Sequence, residues 1–306
     1  MTATLIDGTQ IAKEVQAEVG LEVASLKEKG INPGLAVVLV GEDPASASYV
    51  GMKARMCERL GMTSKKLVLS EDVEESALLA RVHELNEDDS IDGILVQLPL
   101  PKHIDKHKIL EAVDPLKDVD GFHSSNIGSL VLGHETLVAC TPLGVLEMLI
   151  RSGVKIEGAR AAVLGRSDDV GKPMAMLLMH RHATVTICHS RTRDLASVSK
   201  EADIIVAAIG RLAMVNGDFI KPGAVVVDVG TNQVTDRAEV KRLFGDRSPR
   251  LEQFDKRGYI WAGDVHEQEA LRIASKLSPV PGGAGPMTIA MLMKNTITGA
   301  RLRRGL

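Results

Sequence analysis

The sequence predicts a two-domain α/β protein built on parallel sheets, and three observations support this fold class. The chain has 306 residues, a length typical of about two domains. Strand-like apolar runs alternate with helix-like amphipathic runs, which is the pattern of parallel strands joined by right-handed helical crossovers. Hydrophobic residues make up 44% and charged residues 25%, the balance of a globular protein with a sizeable core.

The predicted strands are short apolar runs rich in β-branched residues, as expected for strands covered on both faces. They lie at 35–40, 91–97, 161–164, 184–188, 204–209 and 224–229. The predicted helices lie between them, at 10–29, 44–60, 74–86, 142–151, 173–182 and 237–244, with a last helix over about 286–301. Asp43-Pro44 and Thr141-Pro142 each have the residue types preferred at an N-cap and at the first helical position.

A domain junction is predicted within residues 119–140, which show little periodicity and are rich in Gly and Ser. The first domain then spans residues 1–140 and the second spans residues 141–285. The final segment, 286–306, is long and apolar enough to cross back and pack on the first domain.

Composition argues against several classes of partner. The net charge is −3, and no long basic run and only 2% aromatic residues are present, so nucleic acid is not an expected partner. No apolar run approaches the roughly 20 residues that span a bilayer, and the first residues lack the pattern of a secretory signal. Three well-separated cysteines favour reduced thiols and a cytoplasmic location.

The string RAAVLGRSDDVGKP at 160–173 has the pattern of a strand, a Gly-rich turn and a helix. Rossmann-type folds bind a pyrophosphate at this position, against the free N–H groups of the helix N-terminus. Gly165 allows the tight turn, and Gly171 allows a close backbone approach. The spacing differs from the common G-x-G-x-x-G, so an ordinary strand–helix turn is equally compatible. Asp168 and Asp169 either repel a phosphate or act as favourable charges at the helix N-terminus.

The residues after the next strand favour NADP over NAD. Enzymes that bind NAD carry an acidic residue there to bind the ribose 2′-hydroxyl. This chain has HSRT at 189–192 instead. Ser190 and Arg191, together with Arg166 from the first turn, suit a 2′-phosphate, because a guanidinium pairs with phosphate through two hydrogen bonds. The alternative for Arg191 is a solvated charge on a loop.

Four residues of the first domain are candidate functional groups. Tyr49 and Lys53 are four residues apart on a predicted helix and therefore share one face, at the edge of its apolar stripe. Gln97 ends a predicted parallel strand, where ligands bind in open α/β sheets, and could aim the Lys53 ammonium. Asp120 lies in a Gly-containing turn at the predicted junction. The alternatives are a lysine that extends to solvent beside a half-buried tyrosine, and an ordinary turn aspartate.

Nine strings in order resemble the bifunctional methylenetetrahydrofolate dehydrogenase/methenyltetrahydrofolate cyclohydrolase family over essentially the whole chain. They are SYVGMKAR (48–55), GILVQLPLP (93–101), KDVDGFH (117–123), ACTPLG (139–144), GRSDDVGKP (165–173), CHSRT (188–192), VVDVGTN (226–232), GDV (263–265) and SPVPGGAGPMT (278–288). The family commonly has Ile at the position of Thr231.

The resemblance implies two reactions on one bound folate. A hydride passes from 5,10-methylenetetrahydrofolate to NADP, and water then opens the methenyl product to 10-formyltetrahydrofolate. In the implied roles, Lys53 is the acid–base group, Gln97 positions it, Tyr49 stacks on the folate and Asp120 holds the pterin. Lys53, Gln97 and Asp120 are thus the expected catalytic residues, and no metal is expected.

The resemblance also implies an N-terminal folate-binding catalytic domain, a Rossmann-like NADP domain with a doubly wound parallel sheet, a folate cleft between them and a homodimer. Cofactor contacts are implied for Gly165, Arg166, Ser167, Ser190 and Thr231, and contacts with nicotinamide and substrate for Pro281 and Gly282. Two alternatives remain: a homologue dominated by the dehydrogenase activity, and a non-catalytic NADP-binding regulator.

Overall fold

The computed structural model describes residues 2–306, apart from the side chains of residues 44, 45, 47 and 48. Its strands are β1 (Thr4–Leu5), β2 (Gly34–Val40), β3 (Thr63–Leu69), β4 (Gly93–Val96), β5 (Arg160–Leu164), β6 (Thr184–Cys188), β7 (Ile204–Ala207), β8 (Val225–Asp228), β9 (Asn232–Val234), β10 (Ile260–Ala262) and β11 (Lys276–Leu277). Its helices are α1 (Gly8–Glu28), α2 (Pro44–Leu60), α3 (Glu75–Glu87), α4 (Lys106–Glu111), α5 (Ser124–Leu132), α6 (Cys140–Arg151), α7 (Gly171–His180), α8 (Leu195–Lys200), α9 (Arg237–Phe244), α10 (Pro249–Arg257), α11 (Glu267–Ile273) and α12 (Ala284–Leu302).

The chain divides into two compact units, each organised around a parallel sheet. The three-stranded unit contains Lys13–Cys140 and Ile289–Leu306, and its sheet has the order β3-β2-β4. The six-stranded unit contains residues 2–12 and Thr141–Thr288, and its sheet has the order β1-β11-β8-β7-β5-β6. A separate antiparallel hairpin pairs β9 with β10. The predicted α/β fold class with parallel sheets is therefore confirmed.

In the three-stranded unit, the central strand β2 is buried along its whole length. Its side chains, including Val38, pack with Leu78 and Val82 of α3. Helix α2 has the predicted bounds, and the Asp43 side chain caps it by accepting a hydrogen bond of 2.8 Å from the Ser46 N–H. This cap sets where α2 begins and hence which of its residues lie on the same face.

The six-stranded unit buries a continuous apolar core on its parallel sheet. Ala162, Leu164, Ile205 and Val226, from its central strands, pack in one cluster with residues of the flanking helices. Because β6 lies on one side of β5 and β7 on the other, the strand order reverses at β5. This reversal point at the carboxyl ends of the strands is where open α/β sheets bind ligands.

Residues 2–12 do not belong to the three-stranded unit, although the sequence analysis assigned residues 1–140 to one domain. Thr4 and Leu5 form β1, which pairs in parallel with Lys276 and Leu277 of β11. A two-residue strand carries no recognisable periodicity, and its pairing partner lies near the other end of the chain. The start of the chain therefore has to be placed by tertiary pairing.

The C-terminal residues 289–306 pack within the three-stranded unit, as the length of the last helix suggested. Arg303 and Arg304 hold the fully buried Asp92 through contacts of 2.8 and 2.6 Å. Asp92 also accepts the Gly34 N–H at the start of β2. The carboxylate is thus compensated by two guanidinium groups and a backbone donor, as a buried charge requires.

Several local details differ from what the sequence patterns predicted. Residues 119–140 contain α5, which is short and begins at Ser124 with the His123 ring as its cap. Helix α6 begins at Cys140, so Thr141 is not its N-cap and Pro142 is not its first residue. Strand β3 was missed because its residues Lys65 and Lys66 are exposed at the sheet edge and mask the apolar signal. Among the described residues, no helix has both the length and the apolarity needed to cross a membrane.

Candidate functional site

A lysine and a glutamine meet where β4 ends in the three-stranded unit. The Nζ atom of Lys53 on α2 donates a hydrogen bond of 3.0 Å to Oε1 of Gln97, and both side chains are partly buried. The Nε2 atom of Gln97 donates to the carbonyl of Leu98 at 2.9 Å. This second bond turns the amide so that its oxygen faces the ammonium group. The predicted pairing of Lys53 with Gln97 is therefore present.

Asp120 lies in the same region of the three-stranded unit. The thiol of Cys140 is fully buried, and burial raises its pKa well above the ordinary value. The negative charge of Asp120 raises this pKa further, whereas the positive charge of Lys53 lowers it. Lys53 and Asp120 therefore both act electrostatically on this buried thiol, and Gln97 is hydrogen-bonded to Lys53. Tyr49 precedes Lys53 by one helical turn and is 46% exposed.

The turn that carries Asp120 packs directly on another segment of the unit. Gly121 has φ +69°, and a Cβ atom there would lie 2.5 Å from the carbonyl carbon of Val138. Its N–H donates to the carbonyl of Asp118 at 3.0 Å. Only glycine satisfies both the positive φ and the close approach.

Two buried ionisable residues hold this turn, and neither was predicted from the sequence. The Lys117 ammonium is completely buried and donates to the carbonyls of Leu85, Asn86 and Asp88 at 3.0, 2.6 and 2.9 Å. Burial lowers its pKa. The sequence does contain a signal for Lys117. It lies between an apolar strand and a turn, and a lysine that is buried needs a partner for its charge.

The second of these residues is Asp118, whose carboxylate accepts the His123 N–H at 2.8 Å and the Asn126 side-chain amide at 3.0 Å. Burial raises the pKa of Asp118, and these two donors oppose that rise. Lys117 and Asp118 together fix the backbone on the N-terminal side of Asp120.

The six-stranded unit has a cavity of about 300 Å³ at the reversal point of its sheet. Its polar lining comes from the ends of β5, β6 and β7 and consists of Gly165, Arg166, Ser167, His189, Ser190 and Arg211. Its apolar lining consists of Leu164, Cys188, Leu195, Ala208, Ile209 and Met214. An apolar slot with a few convergent cations and hydroxyls suits a nucleotide with phosphate groups.

The Gly-rich turn has the tight geometry that the string at 160–173 predicted. Gly165 has φ +135°, and a Cβ atom there would lie 2.1 Å from the carbonyl oxygen of Ala208. A Cβ atom on Gly171 would lie 2.4 Å from the carbonyl oxygen of Gly165. The Ser167 hydroxyl accepts the N–H groups of Val170 and Gly171 at 3.3 Å. Backbone and ligand can therefore approach closely at the start of α7.

Asp168 pairs with Lys172 across the first turn of α7, and its side chain is 63% exposed. A neighbouring cation therefore offsets this carboxylate at the entrance of the helix. This ion pair favours the interpretation of Asp168 as a charge at the helix N-terminus over the interpretation in which it repels a phosphate.

Four predicted site residues are not among the residues that line this cavity. Arg191 is exposed, and its N–H donates to Nδ1 of His189 at 3.1 Å. Thr231 is exposed and follows β8 at the carboxyl edge of the same sheet. Pro281 is exposed, and Gly282 has φ +106° and accepts the Thr9 N–H at 3.0 Å. Of these described residues, none contributes to the lining of the cavity.

A carboxylate of the six-stranded unit shapes one wall of the cavity. Asp264 is fully buried and accepts the consecutive N–H groups of Ile209, Gly210 and Arg211 at 2.6, 2.8 and 2.9 Å. It also accepts the Asn232 side chain at 3.0 Å. Ile209 and Arg211 line the cavity, so the orientation of that wall depends on Asp264.

Asp228, at the end of β8, holds the segment that contains Asp264. It accepts the N–H groups of Gly230, Asp264 and Val265 at 2.9, 3.0 and 2.9 Å. Burial raises the pKa of Asp228 to about 7, against the opposing effect of these donors. Neither carboxylate was identified from sequence, although both lie inside recognised motifs, because motif matching does not show which backbone groups they accept. No group of three or more potential metal ligands is found among the described residues.

The reversal-point cavity with its Gly-rich turn defines the chain as a dinucleotide-binding α/β protein, with a second polar cluster in its other unit. Two family models match it: "Tetrahydrofolate dehydrogenase/cyclohydrolase, catalytic domain" over residues 6–120 and "Tetrahydrofolate dehydrogenase/cyclohydrolase, NAD(P)-binding domain" over residues 139–304. The chain belongs to the tetrahydrofolate dehydrogenase/cyclohydrolase family.

Curated relatives and solved structures agree with this assignment. A "Bifunctional protein FolD" of Koribacter versatilis is 54% identical over 305 residues, which cover 100% of this chain and 99% of the relative. A FolD structure from Campylobacter jejuni is 43% identical with a TM-score of 0.88, covering 98% of this chain and 99% of that one. A Trypanosoma brucei FolD, described as complexed with NADP and an inhibitor, is 39% identical with a TM-score of 0.89 and full coverage of both chains.

The family resemblance inferred from the nine strings is thus confirmed over almost the whole chain. With it, the predicted class of enzyme is confirmed: a bifunctional dehydrogenase and cyclohydrolase with a NAD(P)-binding domain. The interpretation as a non-catalytic regulator loses its support.

Proposed function

We propose that this chain oxidises 5,10-methylenetetrahydrofolate with NADP and hydrolyses the resulting 5,10-methenyltetrahydrofolate to 10-formyltetrahydrofolate. The observation that carries the proposal is the hydrogen bond of 3.0 Å between Lys53 and Gln97 beside Asp120. Family membership supports the pair of reactions, and the NADP complex of the Trypanosoma brucei relative supports the choice of cofactor.

In the hydrolytic step, Lys53 is the general acid–base group. The methenyl carbon is already electrophilic, so water adds to it and loses one proton to a base as the C–O bond forms. The bond from this carbon to N5 then breaks: N5 takes a proton, and the hydroxyl proton leaves to solvent as the formyl C=O forms. Nζ of Lys53, held by Gln97, can accept the proton of water as the neutral amine and deliver a proton to N5 as the ammonium group. The bond from Gln97 Nε2 to the Leu98 carbonyl supports this role, since it keeps the amide oxygen directed at Lys53.

Asp120 and Tyr49 bind the substrate in this proposal. The pterin edge presents an N–H and an amino group side by side, and one carboxylate can accept both. The half-exposed ring of Tyr49, one turn before Lys53, offers a flat surface for stacking against the folate. The rigid backbone around Asp120 supports the first of these roles.

The cofactor is expected in the cavity of the six-stranded unit. NADP, when bound, supplies the hydride acceptor. Gly165 and Ser167 bring the backbone close to the pyrophosphate, and Arg166 and Ser190 would bind the 2′-phosphate. The fit of the turn to NADP is supported by Gly165, where any side chain would clash with the neighbouring backbone.

Four further contacts remain proposals: Arg191 from the residue types that follow β6, and Thr231, Pro281 and Gly282 from the family resemblance. Arg191 would join Arg166 and Ser190 in binding the 2′-phosphate. Thr231, Pro281 and Gly282 would contact the nicotinamide or the substrate. Their support is that they follow β6, β8 and β11, whose carboxyl ends form one edge of a parallel sheet.

We also propose that the protein is a cytoplasmic homodimer. Homodimers are what the family resemblance implies, and the three cysteines Cys57, Cys140 and Cys188 are free thiols, as expected in a reducing compartment. Light scattering coupled to size exclusion tests the dimer, and a monomeric mass would contradict it.

A spectrophotometric assay tests the proposed function. Purified protein is mixed with 5,10-methylenetetrahydrofolate and either NADP or NAD, and reduced cofactor is followed together with loss of the methenyl absorbance. We expect both activities, with NADP preferred. Reduced cofactor without hydrolysis of the methenyl product would favour the alternative of a dehydrogenase-dominant homologue, and no reaction with folate would overturn the proposal.

A further inference from the structure

A buried amide on the C-terminal helix reaches the turn that carries Asp120. Asn295 of α12 is 4% exposed, and its Nδ2 atom donates to the carbonyls of Val119 and Val138, each at 2.8 Å. These carbonyls lie 176 and 157 residues away along the chain. One amide group therefore ties two distant segments of the three-stranded unit to one helix.

The first of these bonds bears directly on Asp120. The carbonyl of Val119 and the N–H of Asp120 belong to one planar peptide group. Fixing the oxygen of that group fixes the plane from which the Asp120 side chain departs. The Cys140 thiol donates to the same oxygen at 3.2 Å, so both of its acceptor positions are used.

The second bond fixes the segment on which this turn packs. Val138 lies against Gly121, where even a Cβ atom would clash. Asn295 thus holds both the turn that carries Asp120 and the segment around Val138 on which this turn packs. A shift of either segment would change the direction of the Asp120 carboxylate.

The neighbouring residue shows that a polar side chain buried on α12 need not form hydrogen bonds with other segments. Thr296 is fully buried, and its hydroxyl donates to the Leu292 carbonyl of its own helix at 2.9 Å. Asn295 uses its two amide hydrogens on other segments instead. Thr296 is therefore a suitable control residue, because it is buried like Asn295 but bonds only within its own helix.

We propose that Asn295 is a positioning residue for folate binding: it aims the Asp120 carboxylate at the pterin through the Val119–Asp120 peptide group. The inference rests on the proposed function, in which Asp120 binds the folate. It adds a residue of the C-terminal helix to the determinants of substrate affinity.

The test is a double-mutant cycle on the full-length protein with Asn295→Ala and Asp120→Asn. Folate and NADP affinities are titrated separately for the wild type, both single variants and the double variant, and melting temperatures are recorded. We expect Asn295→Ala to raise the folate Kd by about tenfold or more and to change the NADP Kd by less than about twofold. In the Asp120→Asn background, Asn295→Ala should change the folate Kd by less than about twofold, because the two residues act as one unit.

Thr296→Val is the matched control and should lower the melting temperature while leaving the folate Kd unchanged. If Asn295→Ala does not fold, Asn295→Gln, which keeps the amide but displaces it by one methylene, enters the same cycle. Additive effects on the folate Kd, or a variant at position 295 that only lowers the melting temperature as Thr296→Val does, would overturn the inference. A wild type that binds NADP but no folate would instead overturn the proposed function.

Discussion

The Nζ atom of Lys53 and the Oε1 atom of Gln97 are 3.0 Å apart, although 44 residues separate them in the chain. A helix supplies the cation, and the end of a buried strand supplies the amide. Because α2 follows β2 directly in the chain and β2 pairs in parallel with β4, the two side chains converge at one edge of that sheet. The pair is therefore a product of the βαβ arrangement.

Replacing Lys53 should separate the two activities. Lys53→Met removes the ammonium group and keeps much of the bulk, so hydrolysis of the methenyl compound should fall by roughly 10²-fold or more. Hydride transfer should fall less, since it requires alignment rather than proton transfer. Both rates are measured on one preparation whose circular dichroism matches the wild type. Undiminished hydrolysis would show that Lys53 is structural.

Removing the Asp120 carboxylate should weaken folate binding and leave the NADP affinity unchanged. Asp120→Ala deletes a charge-assisted acceptor, which corresponds to about 1.5–3 kcal/mol of folate binding free energy. Calorimetric titration with folate and with NADP distinguishes the two ligands, and Asp72→Ala, on an exposed loop of the same unit, is the control. A normal folate affinity together with a lower melting temperature would identify Asp120 as a turn residue only.

Cofactor discrimination should depend on Arg166. We expect NADP to be preferred over NAD by at least about tenfold in kcat/KM, or about 1.4 kcal/mol. Arg166→Ala should remove most of that preference, because Arg166 lines the cavity and its guanidinium suits a 2′-phosphate. Arg181→Ala, an exposed arginine at the end of α7, is the matched control. Equal use of NAD by the wild type would contradict the assignment.

Arg191→Ala distinguishes the two interpretations of Arg191. As a solvated loop charge, it should leave the preference for NADP unchanged. As a phosphate ligand, it should reduce the preference by an amount similar to Arg166→Ala. Steady-state kinetics with both cofactors decides between them.

The carboxylate of Asp264 should matter both for stability and for the cofactor cavity. Asp264→Asn replaces one acceptor oxygen by an amide that faces backbone N–H donors, which should cost about 2 kcal/mol of unfolding free energy. NADP affinity should fall as well, because Ile209 and Arg211 lose their anchor. Asp203→Asn, at a half-exposed carboxylate paired with Lys221, should change stability by less than about 0.5 kcal/mol. Equal effects of the two substitutions would refute this role.

The pH dependence of stability should carry a contribution from Asp228. Its pKa is raised from the ordinary 3.8 to about 7 by burial, so between these pH values the folded protein binds the proton more tightly than the unfolded chain. The resulting stabilisation is complete below about pH 4 and is lost as the pH rises through about 7. Urea unfolding at several pH values should show this loss in the wild type and not in Asp228→Asn. Parallel curves for the two proteins would rule out titration of Asp228 in this range.

Much of this protein follows from local sequence. The apolar run at 35–40 becomes the buried strand β2, because a continuous run of β-branched residues can only be covered on both faces. Asp43 caps α2 at the predicted residue, since an N-cap acts on backbone groups two or three residues away. Gly165 marks its turn because its φ excludes other residues. The positions of Lys53 within α2 and of Gln97 directly after β4 followed from the same local rules.

The remaining contacts depend on the folded chain, because they join groups whose partners are distant in sequence. Residues 2–12 join the six-stranded unit through a two-residue strand that pairs with β11. Asn295 and Asp264 acquire their partners only when the carbonyls and N–H groups of other segments are brought to them. A side chain that satisfies backbone groups of another segment has no sequence signature, because any residue can present those groups. The chain alone therefore determined the elements and the chemical groups, and the packing of those elements determined which groups act together.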